Sequence, residues 1–163
     1  MFLFATPIIG LHQTIITMAK RIKIIAKRIA PEQSPAVSMG LLIFRIWVGV
    51  SLFAKHGLEK ILHFSEMRQH FPDPIHVGPT AGLICALLAD AVCSVLISLG
   101  LFTRLAAIIE VINLAVVFVV MNHASFAEGN AEIAYLYLGS YLAIVFCGAG
   151  RYSLDGLIWK KKV

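Results

Sequence analysis

Residues 39–58, MGLLIFRIWVGVSLFAKHGL, are apolar over a length that crosses a bilayer, which takes about 20 such residues, yet they enclose Arg45. Working outward, residues 80–99 and 105–121 repeat the pattern, each apolar and each holding one acid, Asp90 and Glu110. A fourth apolar stretch, residues 133–147, follows. An ionisable side chain in hydrocarbon costs at least ~2.5–3.5 kcal/mol. A chain tolerates that three times when the charges face one another, or a polar cavity, inside a helix bundle. The fold expected is therefore all-α, a transmembrane four-helix bundle with a polar centre.

Composition agrees. Of the 163 residues, 59% are hydrophobic and 14% charged, against roughly 25% charged in soluble domains. The net charge of +5 does not point to nucleic acid, because the basic residues gather at the ends of the apolar stretches, where they orient the chain. Lys20, Arg21, Lys23, Lys27 and Arg28 precede the first span; Arg104 separates the second and third; Arg151 and Lys160, Lys161 and Lys162 follow the fourth. The other side has Lys60 and Arg68, with Lys55 near it, and acids in residues 122–132. The positive-inside rule then predicts a multi-pass inner-membrane protein with both termini cytoplasmic.

Two regions are expected: an N-terminal basic extension, residues 1–38, and the bundle, residues 39–163. Within the extension, residues 20–30 (KRIKIIAKRIA) space basic residues among isoleucines, the pattern of an amphipathic helix on an anionic leaflet. Residues 2–16 are apolar but interrupted by Pro7, Gly10, His12 and Gln13, and read as an interfacial anchor. They lack the basic n-region of a signal peptide. Thr103 is expected to cap the third helix and Ser153 a short terminal one, with Trp159 at the interface.

At a rise of about 1.5 Å per residue, Arg45 and Glu110 lie roughly 9–10 Å from the same end of the bundle. Asp90 sits nearer the midplane, so the three are expected in one layer with Arg45 neutralised by one or both acids. On the first span Arg45, Gly49, Leu52 and His56 share a stripe. His123, at the end of the third span, reaches the depth of His56, with Lys60 and Glu132 beside them, giving a second polar cluster. The plain alternative is that the buried charges only set helix register and the histidines only sit at the wet interface. The cysteines Cys85, Cys93 and Cys147 form no C-x-x-C pair and read as small apolar side chains. The string His63, Glu66, His70, Asp73 and His76 reads as solvated loop, and no metal is expected. Gly148-Ala149-Gly150-Arg151 follows no strand and reads as a turn, not a nucleotide loop.

With these residues in place, the sequence from about residue 39 to residue 158 resembles the DoxX family of small four-span membrane proteins. The resemblance is carried by Phe44-Arg45, His56-Gly57-Leu58-Glu59-Lys60, Asp90, Gly100-Leu101-Phe102-Thr103-Arg104, His123, Glu132 and Gly150-Arg151-Tyr152-Ser153-Leu154-Asp155. It departs from the family in having Asp90 where Glu is commoner, and in its basic extension. The resemblance implies an inner-membrane protein linked to redox chemistry, including a subunit associated with quinone-dependent thiosulfate oxidation.

The leading expectation is a membrane subunit of a quinone-linked redox complex. His56 and His123 would exchange protons with a quinone, while Arg45, Asp90 and Glu110 stabilise charge or relay the proton. Lys60, Glu132 and Gly49 would line the substrate site. Whether the chain is itself an enzyme stays open, as does self-association into a homo-oligomer. Electrons would come from a soluble redox partner at the cytoplasmic face, because no flavin or iron–sulfur motif is present. A haem on His56 and His123 is disfavoured, since no attachment motif accompanies the pair. Two rivals remain: a non-enzymatic scaffold docking a soluble partner on the basic cytoplasmic face, and a small-ligand binder or transporter. The last has few spans and no inverted repeat.

Overall fold

The computed structural model describes residues 34–74, 76–126 and 131–159. Residues 1–33, with the amphipathic helix and interfacial anchor expected there, the terminal lysines, the Trp159 side chain and residues 127–130 lie outside the described residues. Every regular element among the described residues is helical. Helix α1 spans Pro35–Leu62, the short α2 Phe64–Met67, α3 Pro79–Leu99, α4 Thr103–Met121, α5 Ala131–Cys147 and α6 Leu154–Trp159. Helices α1, α3 and α4 are long and apolar enough to cross a membrane, and α5 is a shorter apolar helix. The protein is a membrane helix bundle. Its spans begin up to four residues before the hydrophobic stretches do, because Pro35 and Pro79 sit in first turns, where a missing N–H costs nothing.

The burial pattern is that of a bundle in lipid. Large apolar side chains cover the outside, with Trp47 and Phe146 each 75% exposed, while Arg45 and Glu110 are wholly buried. Lipid tails are as apolar as leucine, so hydrophobicity does not decide which face turns inward. Polar and small residues do. Helix α1 lies antiparallel to α3, its first half against the second half of α3, and α4 lies along α5. Two glycines set the α1–α3 spacing. A Cβ on Gly49 would stand 2.6 Å from the Ser94 carbonyl oxygen, and one on Gly57 2.6 Å from that of Asp90.

Helices α1, α3 and α4 each contain a wide π-turn, at Phe53–Gly57, Leu88–Cys93 and Val116–Met121. Each has a carbonyl taken by a polar side chain. Lys60 Nζ donates to His56 O at 3.4 Å, Ser94 Oγ to Asp90 O at 2.6 Å, and Asn122 Nδ2 to Val117 O at 2.9 Å. With no bulk water to serve loosened backbone groups, such partners let the turns persist within the spans.

The first π-turn corrects the expected stripe. From Arg45 onward the buried positions of α1 run Arg45, Val48, Gly49, Leu52 and then Gly57 and Lys60, so Gly57 follows Leu52 at a spacing of five. The extra residue leaves Gly57 and Lys60 facing α3 and turns His56 half out of line.

Candidate functional site

Arg45 and the two acids do not form one charge layer. Arg45 donates from Nη1 to the Ile97 carbonyl at 3.0 Å and from Nη2 to the Tyr152 carbonyl at 2.8 Å. Among the described residues it makes no ion pair with Asp90 or Glu110. The reason is the turn that ends α3. Gly100, at φ 74°, closes a left-handed cap in which Leu101 N donates to Leu96 O. The guanidinium fills the space beside this glycine, where orphan carbonyls concentrate. A cation there also meets the negative end of the helix dipole.

The same end of the bundle is fastened by Asp155. Its Oδ1 accepts from Phe102 N at 2.8 Å and its Oδ2 from Thr103 N at 2.9 Å, while Asp155 N donates to Gly100 O at 2.8 Å. Asp155 is therefore the cap of α4. Thr103, expected in that role, is buried with its hydroxyl unpartnered, because a carboxylate from a distant turn already holds the first N–H groups. Ser153 caps the terminal helix as expected, accepting from Gly156 N at 3.0 Å. Gly148, at φ 75°, begins the turn after α5.

The acids belong to a second centre, nearer the other end. Lys60 Nζ lies 2.6 Å from Asp90 Oδ2, and Asn113 Nδ2 donates to Asp90 Oδ1 at 2.9 Å. Helices α1, α3 and α4 thus converge on one carboxylate. Both charged side chains are nearly buried, at 11% and 7% exposure, and Gly57 makes this possible by admitting the α3 backbone beside them. Glu110, one turn from Asn113 on α4, is wholly buried with neither oxygen hydrogen-bonded.

Against the Lys60–Asp90–Asn113 cluster lies a cavity of about 160 Å³. Its polar lining also includes His56 and Tyr137; Leu52, Leu114, Val117, Ile133 and Ala134 supply the apolar walls. The His56 and Tyr137 rings meet edge to face, centroids 6.4 Å apart. Tyr137 is held by its hydroxyl, which donates to Ser51 Oγ at 3.0 Å, and Tyr141 ties α5 to α1 through Val48 O at 3.3 Å.

Of the residues singled out in the sequence, His56, Lys60 and Asp90 line the cavity. Arg45 is at the opposite end, and Glu110 is buried beside the cluster rather than in the cavity wall. His123, exposed at φ 51°, and Glu132, exposed at the start of α5, are not among its lining residues. The helix rise equates the depths of His56 and His123, but it says nothing about which way each faces. Gly49 serves the α1–α3 contact. The loop string disperses: His63 Nδ1 meets Glu66 at 3.2 Å, and the Asp73 carboxylate accepts from Val77 N and Gly78 N. Sequence reasoning missed Asn113 and Tyr137. Asn113, an amide inside an apolar span one turn from Glu110, was the available signal; a tyrosine in a membrane helix carries none by itself.

This cavity is lined from positions both inside and beyond the part of the chain that a family profile matches. The profile of the DoxX family matches residues 40–123, which includes His56, Lys60, Asp90 and Asn113 but stops before α5. An uncharacterized protein of Haemophilus influenzae is 33% identical over 124 residues, covering 68% of this chain and 84% of that protein. No solved structure matches. The chain belongs to the DoxX family.

Proposed function

We propose that the protein is the membrane subunit of a quinone-linked redox complex, and that the cavity receives the quinone ring. The observation that carries the reading is the lining itself, which sets proton-exchanging and hydrogen-bonding groups at one end of an otherwise apolar pocket inside a membrane bundle. Lys60 and Asn113 each keep donors beyond those given to Asp90, and these can hold a ring carbonyl. Reduction of a quinone to a quinol takes up two electrons and two protons. His56 is the lining group suited to pass protons, with Tyr137 fixing its ring. The electrons come from a partner. A volume of about 160 Å³ suits a single substituted ring and falls below that of pockets for larger ligands, about 300–1,000 Å³.

The distribution of Lys and Arg supports an inner-membrane location with both termini in the cytoplasm. The cavity then lies in the outer half of the bilayer, and the electron-donating partner reaches it from that side rather than from the cytoplasmic face expected from the sequence. One observation favours the scaffold reading as a second choice. At the Arg45 end the turns are locked together, and Arg104 and Arg151 are exposed, a rigid basic surface fit for docking.

The test is extraction. Purified in mild detergent from its own membrane, the wild-type protein should carry quinone near one per chain, and His56→Gln and Tyr137→Phe should carry much less while remaining folded. Equal quinone in all three, or none in the wild type, would remove the proposed site.

A further inference from the structure

The cavity has a neighbour. A second, apolar hollow of about 430 Å³ runs along α1, lined by Ile43, Ile46, Trp47, Val50, Ser51 and Ala54. The two are joined through one residue pair: Tyr137 lines the first, Ser51 the second, and the Tyr137 hydroxyl bonds Ser51 Oγ. This bond crosses the seam between α1 and α5, a far sparser contact than that of α1 with α3 or of α4 with α5. Below it the polar lining ends. From Ala54 back to Ile43 the hollow extends about 16 Å along the helix, and among the described residues Ser51 is its only polar one.

We infer that the α1–α5 seam takes a quinone bearing a long isoprenoid tail, with the ring in the polar cavity and the tail passing the Ser51–Tyr137 bond onto the Ile43–Ala54 face of α1. This rests on the quinone reading above. The occupant follows from the junction of the two hollows. A ligand in the cavity that also has a membrane-soluble chain needs an apolar exit from a polar end, and this hollow begins one hydrogen bond from the cavity's lining. Without such a ligand, phospholipid acyl chains cover the face. A tail and an acyl chain are about equally apolar, so the hollow contributes direction rather than affinity. The informative readout is therefore where the tail lies, not how tightly the ligand binds.

The experiment uses the full-length protein in phospholipid nanodiscs with a decyl-benzoquinone carrying a diazirine at the far end of its tail. After irradiation, adducts are mapped by mass spectrometry and challenged with excess unlabelled decyl-benzoquinone or with a tail-less methoxy-benzoquinone. The expected result is adducts on residues 43–54, lost with either competitor, because the ring anchors the tail. In Val50→Phe, which narrows the hollow and leaves the Ser51–Tyr137 bond untouched, the α1 adducts should disappear while the tail-less ring is still retained. Competable adducts on other helices would overturn the tail path and leave the ring site standing. Adducts on α1 that neither competitor removes would mean ordinary acyl-chain contact, and would also overturn it. No competable adduct anywhere, with no quinone in the extract, would sink both the path and the quinone reading.

Discussion

Lys60 is the residue on which the polar centre turns. Among the described residues its ammonium is the one cation in contact with Asp90, so Lys60→Met strands a nearly buried carboxylate. Removing one partner of a buried pair costs about 3–5 kcal/mol. Replacing both with apolar side chains, as in Lys60→Met with Asp90→Leu, is expected to return most of that stability, leaving the Asn113 amide short of its acceptor and the His56 carbonyl short of its donor. Chemical unfolding in detergent, followed by circular dichroism, reads both numbers. Should the double variant prove as unstable as the single, the pair is not the source of the loss. Gly100 makes the contrasting case at the other end. A methyl there would need the left-handed backbone and would meet the Arg45 guanidinium and Ser153. Gly100→Ala should cost about 1–3 kcal/mol from strain alone, while leaving quinone retention in whatever fraction folds unchanged, since the two centres share no side chain.

The π-turn in α1 gives a sharper test at the level of the element. A one-residue widening between Leu52 and Gly57 can absorb a one-residue deletion, so removing Ala54 should convert the turn to ordinary α-helix. Gly57 and Lys60 would keep their faces, and the Asp90 pair would survive. His56, next to Gly57 and beyond the deletion, would keep its place beside Tyr137. The expected outcome is a folded protein of near wild-type stability that still retains quinone. Removing Val50, in the regular stretch, has no such slack to use and should fail to fold. Similar behaviour of the two deletions would show that the wide turn is not a separate element. This turn is also where the sequence ceased to be legible. The apolar lengths, the Gly and Pro punctuation and the buried charges announced four spans and a polar centre. An unbroken 3.6-residue period then carried His56 onto the Arg45 stripe, because nothing in Phe53-Ala54-Lys55 signals a wide turn before its carbonyl partners are known. Depth along a helix was readable; azimuth past residue 52 was not.

For the whole molecule, the proposed orientation is checked with single cysteines in a background where Cys85, Cys93 and Cys147 are replaced by alanine. An impermeant thiol reagent applied to intact cells should label a cysteine at the exposed Gln69 and spare one at the exposed Arg151. The reverse pattern would invert the protein and place the cavity on the cytoplasmic side. The charge centres were misassigned for a reason that also belongs to this scale. Arg45, Asp90 and Glu110 lie in neighbouring spans and attract on paper, but the three-dimensional partners of Arg45 are main-chain carbonyls of turns that no pattern of charges reveals. Those partners carry a consequence for synthesis. The Ile97 carbonyl is 52 residues downstream of Arg45 and the Tyr152 carbonyl 107. At about 5–20 residues per second, Arg45 leaves the ribosome roughly 5–20 s before its second partner exists. For that interval the first span cannot rest at its final depth with its guanidinium satisfied, and a long side chain close to the helix end can reach up to the headgroups instead. The last turn to be made is the one that lets the first helix sink into place.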